Sequence, residues 1–134
     1  MGADGLITLR SSFGHQETLT RLEAAIRANG MQLLARIDHH AVAAEAGVWL
    51  RATTLLIFGN AKDWAPLMRA RELIAIDLLF RALVWQGTTG ETWLSYDDPR
   101  WLARRHKMER ELEHVIIDAG IRISAIARKA VSPP

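Results

Sequence analysis

The sequence predicts an α+β domain in which an antiparallel or mixed sheet carries its helices on one face. Three observations predict this class: apolar residues alternate over 31–37, a Gly-containing loop at 87–90 separates two strand-like runs, and apolar residues recur at helical spacing over 108–130. Strands grouped together and then followed by a helix are typical of α+β proteins. The expected order is β-α-β4-α, with small helices between strands and a long C-terminal helix.

The first elements are a strand, a helix and a second strand. Leu6–Ser11 is a short β-prone run, and the helix predicted over 15–29 ends at Asn29-Gly30, which supplies a left-handed stop. The second strand repeats apolar residues at every other position, so we expect all of them on one buried face. These residues are Met31, Leu33, Ala35 and Ile37.

The middle of the chain adds two helices and an internal strand. A short Ala-rich helix begins at His39 and ends before Gly47, and the continuous apolar run Thr53–Phe58 predicts a buried strand closed by Gly59-Asn60. We expect Asp63 or Ala65 to begin the next helix, because Pro66 would then lie in its first turn.

The last third predicts a hairpin and the terminal helix. Phe80–Gln86 and Thr92–Tyr96 flank the four-residue loop at 87–90. Asp98-Pro99 has the pattern of a helix N-terminus, and apolar spacing continues to Ala130, which predicts one long helix. Residues 131–134 are expected to be a frayed tail, and the 134 residues form one domain in this interpretation.

Composition and charge exclude several classes of protein. The chain has no cysteine, so it has no disulfide framework and no Cys-based metal site. The net charge is only +2, and the Arg-rich segment 100–110 runs into glutamates, which favours a solvated helical face over a nucleic-acid surface. The longest uncharged central stretch, 52–61, is far shorter than a membrane-spanning helix. We therefore expect a cytoplasmic protein with no nucleic-acid or membrane partner.

Five segments of the chain carry a resemblance to a known family. They are Arg36–His39, Leu50–Asn60, Pro66–Met68, Ile76–Leu78 and Trp93–Pro99. In this order they resemble the domain of unknown function 302 family over about residues 5–106. The resemblance implies a TATA-binding-protein-like β-α-β4-α fold and a homodimer, and it implies no DNA binding because fold and function separate freely.

Asp38-His39-His40 is the most suggestive cluster of chemistry-bearing residues. A carboxylate beside imidazoles can orient a base or hold a divalent metal. Adjacent residues point in different directions, however, and the pattern equally fits Asp38 as the cap of the short helix, which we favour. His106 and His114 are expected to have no catalytic or metal role.

Five tryptophans are many for a chain of this length, and they are typical of interfaces and pocket walls. We expect Trp85 and Trp93 to pack in the core and Trp64, in a polar segment, to be an exposed anchor. Gly59-Asn60 is more typical of a turn than of an anion site. The side chains predicted to bind a ligand are Asp38, His39, Asn60, Trp64, Met68, Asp77 and Tyr96.

Two functions follow from these patterns. The first is a non-catalytic homodimeric domain that binds a small apolar or amphipathic ligand between sheet and helix, or acts as an interaction module. It has no catalytic residue and no metal, and the sequence identifies no cofactor. The alternative is an enzyme or a metal- or haem-binding protein that uses Asp38 and His39 together with Asn60, Asp77 and Tyr96.

Overall fold

The computed structural model describes residues 4–77, 79–107, 110 and 113–134. Its strands are β1 (Leu6–Arg10), β2 (Gln32–Asp38), β3 (Thr53–Gly59), β4 (Phe80–Gln86) and β5 (Thr92–Asp97). They form one antiparallel sheet in the order β1-β5-β4-β3-β2. The predicted α+β class is confirmed, and β3 is an internal strand as expected.

The described helices are α1 (His15–Ala28), α2 (His39–Glu45), α3 (Ala61–Ala70), α4 (Pro99–Arg105) and α5 (Glu113–Val131), with a short 3₁₀ helix over Glu72–Ile76. Gly30 has a φ of 72° after α1 and Gly47 a φ of 78° after α2, so both expected glycine stops are confirmed.

The main core lies between one face of the sheet and the pair α1 and α5. Alternate residues of the internal strands point to these helices because side chains of a strand alternate between faces. The fully buried side chains that meet there include Leu22, Ile26, Leu56, Phe58, Val84, Leu94, Ile123 and Ile126. This layer fixes α5 against the sheet and thereby positions the groove described below.

A β-bulge in β2 makes the predicted single buried face of this strand wrong. Leu33 pairs with Phe58 but Ala35 pairs with Ile57, so Leu34 is an extra residue. A shift of one residue moves every following side chain to the other face. Leu33 therefore packs on the core, whereas Ala35 and Ile37 lie on the opposite face.

Helix α3 begins earlier than its sequence predicted. Asn60 is its N-cap, and the side-chain Oδ1 accepts from the Lys62 N–H at 2.9 Å. Pro66 consequently lies inside the helix rather than in its first turn. Neither Asp63 nor Ala65 is the cap, because the Asn60 amide already supplies the acceptor that a first turn needs.

The predicted terminal helix is two helices. Asp98 caps α4 as expected, with its Oδ1 3.0 Å from the Arg100 N–H, but α4 ends at Arg105 and Lys107 has a φ of 50°. The long helix α5 is confirmed from Glu113 onward, whereas Met108 and Leu112 lie outside the described residues. It also includes Val131, a buried residue that the sequence assigned to the tail.

The sheet face opposite α1 and α5, called here the open face, carries large apolar side chains. Its members on internal strands are Leu55, Ile57, Leu83, Trp85 and Trp93, and all stay partly exposed. Trp85 and Trp93 pair across the hairpin and stack with centroids 6.0 Å apart. The expectation that they pack in the core is therefore wrong, since their strand positions direct them to this face.

Candidate functional site

Asp38 and His39 lie at the end of β2, where α2 begins. The Asp38 Oδ1 accepts from the Ala41 N–H at 3.0 Å, which confirms the capping interpretation. The Asp38 carboxylate also acts on the pKa of His15, which is not part of the Asp38-His39-His40 cluster. Burial lowers the pKa of His15, and the Asp38 carboxylate opposes that shift. His15 donates to or accepts from Thr54, with 3.0 Å between Nε2 and Oγ1.

Asn60 and Trp64 lie at the other end of the sheet. Besides capping α3, Asn60 donates from Nδ2 to the Gly30 carbonyl at 3.3 Å. The Trp64 ring covers Gly59 so closely that a Cβ there would be 1.7 Å from it, so Gly59 is required for this packing. Trp64 is partly buried, so the expectation that it is an exposed anchor is wrong. The most exposed tryptophan described is Trp49, at 72%.

Asp77 is the centre of a buried ionic cluster that the sequence did not reveal. It is 5% exposed, and its Oδ2 lies 2.6 Å from His106 Nε2 and 2.8 Å from Arg105 Nη1. Arg81 Nη2 is 3.7 Å from Oδ1, and its Nε donates to Asp97 at 2.8 Å. The carboxylate thus joins the segment before β4 to the end of α4.

Met68 and Trp64 flank the same end of the molecule as Asp77. Met68 packs on a small apolar cluster of Leu67, Ile74 and Ile116. The adjoining cavity, which Trp64 and Asp77 help to line, has a volume of about 30 Å³. That is space for about one water molecule and too little for an organic ligand.

Tyr96 lies in a larger space between the sheet and α5, called here the sheet–helix groove. Its volume is about 660 Å³. The sheet contributes Ile7, Leu9 and Tyr96; the start of α4 contributes Asp98, Pro99 and Arg100; and α5 contributes Ile117, Gly120, Ile121, Ser124, Ala125 and Arg128. Apolar side chains of β1 and α5 thus share this groove with hydroxyl, carboxylate and guanidinium groups.

Several polar and charged groups near the Tyr96 hydroxyl act on its pKa. Burial raises the pKa of Tyr96 above its usual 10.0, and the negative charge of Asp98 raises it further. The neighbouring Ser124 side chain and the charges of Arg128 and Arg100 act in the opposite direction. The phenol is therefore neutral at physiological pH and can both donate and accept a hydrogen bond.

The predicted site residues do not form one group. Asp38 is opposite Thr54 and Gln32 is opposite Gly59, so Asp38 and Asn60 are separated by nearly the whole of β3. At about 3.3 Å per residue this distance is roughly 20 Å. Trp64, Met68 and Asp77 come together, Tyr96 lies in the groove, and Asp38 and His39 are remote from both. The arrangement required by the enzyme alternative is absent from the described residues.

A comparison with family models identifies the relatives of this chain. The model described as domain of unknown function DUF302 matches residues 7–129. The chain belongs to the DUF302 family. The crystal structure of an uncharacterized conserved DUF302 protein from Bacillus stearothermophilus covers 96% of the chain and 99% of its own, with a TM-score of 0.85 and 22% identity. At that identity the likeness establishes the shared DUF302 fold.

Two curated relatives of this DUF302 chain come from Brucella. Proteins named fluoride-specific ion channel FluC 1, from Brucella suis and Brucella abortus, are each 42% identical to it over 104 residues. The match covers 78% of this chain but only 41% and 38% of theirs. The chain thus spans about two-fifths of the length of these relatives. Among the helices described for the DUF302 chain, none has the length and apolarity needed to cross a membrane.

Several residues of the Asp77 cluster and of the sheet–helix groove were not predicted from the sequence. Arg105, His106, Gly120, Ser124 and Arg128 come from α4 and α5, far along the chain from the residues that they approach. Asp77 and Arg81 stand four residues apart, the one signal of the ionic cluster that the sequence contains. No three His, Asp or Glu side chains in the described ranges have a metal-binding arrangement.

Proposed function

We propose that this chain is a non-catalytic homodimeric domain that binds a small apolar or amphipathic molecule in the sheet–helix groove. The observation that carries the proposal is the groove itself, because its volume of about 660 Å³ falls within the range of about 300–1,000 Å³ that is typical of small-molecule sites. Its lining is mostly apolar with a few polar groups, as in other such sites.

The roles of the polar candidate residues support a non-catalytic domain. Asp38 and Asn60 are occupied as helix caps. Asp77 is held by His106 and two arginines, next to a cavity too small for a substrate. In each case hydrogen bonding or ion pairing accounts for the side chain without a reactant.

The open face supports the homodimer. A sheet face of large apolar residues needs a second layer, and the indole N–H groups here are already bound within the chain, from Trp85 to Ser95 and from Trp93 to Glu91. Two cations of the described strands lie on this face: Arg81 is paired with Asp97, and Arg10 of β1 lies over the Trp93 ring, 5.9 Å from its centroid. A largely apolar surface whose indole donors are satisfied suits an identical copy, which presents the same apolar side chains.

The open face is also large enough for a dimer interface when the segment between α2 and β3 is included. Five strands about 4.8 Å apart and about 20 Å long make roughly 450 Å², whereas a stable interface buries about 800 Å² per partner. The segment after α2 adds exposed apolar side chains and enters β3 beside Trp85, where Gln86 N–H donates to Ala52 at 2.9 Å. These side chains are Val48, Trp49 and Leu50.

Light scattering after size exclusion tests the dimer, with an expected mass of about twice 15.0 kDa. Leu83→Glu, on the open face, should give the monomer mass, whereas Gln16→Glu on the exposed side of α1 should not change it. A monomer in the unmodified protein would disprove the dimer. It would leave the open face to a different protein partner, which is the interaction-module form of the proposal.

Native mass spectrometry and ligand screening test the groove. We expect an amphipathic small molecule to bind and to protect the protein against thermal unfolding. The channel name of the Brucella relatives belongs to proteins of which this chain matches about two-fifths, so we propose no fluoride conduction for it. Sodium fluoride should therefore change the melting temperature no more than sodium chloride does. The cytoplasmic location stays a prediction.

A further inference from the structure

We infer that the sheet–helix groove selects a single-chain amphiphile with a carboxylate headgroup, of the fatty-acid class. This inference rests on the proposed function and specifies its ligand. The groove combines polar groups around the Tyr96 hydroxyl, which carry a net positive charge, with branched apolar side chains of β1 and α5. A molecule with one anionic end and one extended apolar chain matches both parts.

The polar groups around Tyr96 include two guanidinium groups and two hydroxyl groups, counting its own. Arg128 forms no ion pair with any side chain in the described ranges, and Arg100 is paired with Asp98 only through Nε, at 3.5 Å. Tyr96 and Ser124 supply hydroxyls beside them. Guanidinium and hydroxyl donors together suit a carboxylate, which accepts several hydrogen bonds in one plane.

The net charge of these polar groups indicates a monoanion. Arg100 and Arg128 provide two positive charges and Asp98 removes one, so one unit of positive charge is left for a ligand. A cationic headgroup would be repelled. A polyanion such as a nucleic acid would need several more cations along one surface.

The apolar walls explain why the ligand needs a chain. On α5, Ile117 and Ile121 are 53% and 64% exposed although they line the groove. Ile7 and Leu9 face them from β1, where they pack on the edge of the core. An extended hydrocarbon between these walls would remove apolar surface from water on both sides, which is the main source of affinity for such ligands.

Gly120 leaves room for the ligand in the middle of α5. A Cβ at this position would have no atom within 4 Å, so close helix packing does not explain this glycine. Glycine inside a helix is unfavourable relative to alanine. In the inferred complex the missing side chain leaves the groove open, and a larger residue would fill it without disturbing the core.

The test measures the binding of dodecanoate, below its micellar concentration, by isothermal titration calorimetry. Gly120→Leu should weaken binding at least tenfold because the new side chain occupies the groove, whereas Gly120→Ala should bind within about twofold of the unmodified protein. Arg128→Gln should weaken binding about tenfold, since hydrogen bonds to charged groups are the stronger ones. Arg27→Gln is the matched control, because it removes an arginine from the last turn of α1, outside the groove, and should have no effect.

Two analogues, the neutral dodecanol and the cationic dodecyltrimethylammonium, distinguish this inference from the proposed function. If dodecanol or dodecyltrimethylammonium binds as tightly as dodecanoate and Gly120→Leu abolishes that binding, the groove is a ligand site but the carboxylate assignment is overturned. If none of the three binds, or if Gly120→Leu has no effect on any of them, both proposals fail. Binding to anionic lipid vesicles but not to free dodecanoate would also overturn the inference, since it would indicate a membrane surface rather than a single molecule.

Discussion

Tyr96 is a single residue that belongs to both the core and the proposed ligand site. The residue is 4% exposed and packs between sheet and helices, and it also lines the groove, where Ser124, Arg100 and Arg128 act on its hydroxyl. It is also the one tyrosine in the sequence. The absorbance of tyrosinate therefore reports on this position alone.

We expect Tyr96 to titrate above the ordinary pKa of 10.0, because burial disfavours the phenolate. The unfolded chain loses this proton first, so the free energy of unfolding should fall as pH rises above 10.0. Arg128→Gln should raise the pKa of Tyr96 further, since that guanidinium favours the phenolate. An absorbance titration measures both, and an unchanged pKa in Arg128→Gln would contradict the geometry of the groove.

His15 gives a prediction in the acidic range. Its Nδ1 is buried without a hydrogen-bond partner, and burial lowers its pKa below 6.5, with Arg36 acting in the same direction. The unfolded chain therefore binds this proton first, and the folded state loses stability as pH falls below 6.5. Urea unfolding at several pH values should show a smaller loss in His15→Gln, because the amide does not titrate while it still offers a polar group toward Thr54. If the free energy of unfolding changes with pH in the same way in both proteins, His15 makes no contribution to this loss.

At the scale of elements, Asp77 joins the segment before β4 to the end of α4. Asp77→Ala should lower the free energy of unfolding by about 2 kcal/mol, because it leaves the mostly buried His106 and the half-exposed Arg105 without their shared acceptor. Asp118→Ala is the control. It removes an ion pair of Arg122 on the exposed side of α5 and should cost less than about 0.5 kcal/mol. Equal costs in urea unfolding would contradict a structural role for the cluster.

The elements also show which parts of the fold a sequence can predict. Strand and helix positions followed from periodicity, and the stops at Gly30 and Gly47 from local backbone chemistry. The bulge at Leu34 did not, because its cause is the pairing of β2 with β3, a contact distant along the chain. The start of α3 was missed since Asn60 was interpreted as a turn residue, although an Asn side chain serves a turn and a helix cap equally well.

The candidate site was predictable to a smaller extent. Tyr96 was selected, and the expected place between sheet and helix agrees with the groove. Its partners Arg100, Gly120 and Arg128 were not selected, because nothing in their local sequence distinguishes them from residues of a solvated helix. Only the packing of α4 and α5 in the folded chain brings them into the same groove as Tyr96.

At the scale of the whole molecule, the two proposed surfaces lie on opposite sides of the sheet. The groove is on the side of α5, and the proposed dimer surface is the open face. Substitutions at one surface should therefore leave the other function intact. We expect Leu83→Glu to retain dodecanoate binding, and Gly120→Leu to retain the dimer mass in light scattering. Loss of both properties in either variant would indicate that the surfaces are coupled or that the variant is unfolded, which circular dichroism distinguishes.

The dimer proposal also predicts that stability depends on protein concentration. If unfolding separates two copies, each tenfold rise in concentration adds about 1.4 kcal/mol to the unfolding of a mole of dimer. Over a hundredfold range the melting temperature should rise by about 5 °C for a dimer of this size. Leu83→Glu should have the same melting temperature throughout the range, since the unfolding equilibrium of a monomer does not depend on protein concentration. Calorimetry at several concentrations measures this, and a constant melting temperature in the unmodified protein would show that the open face does not hold two copies together during unfolding.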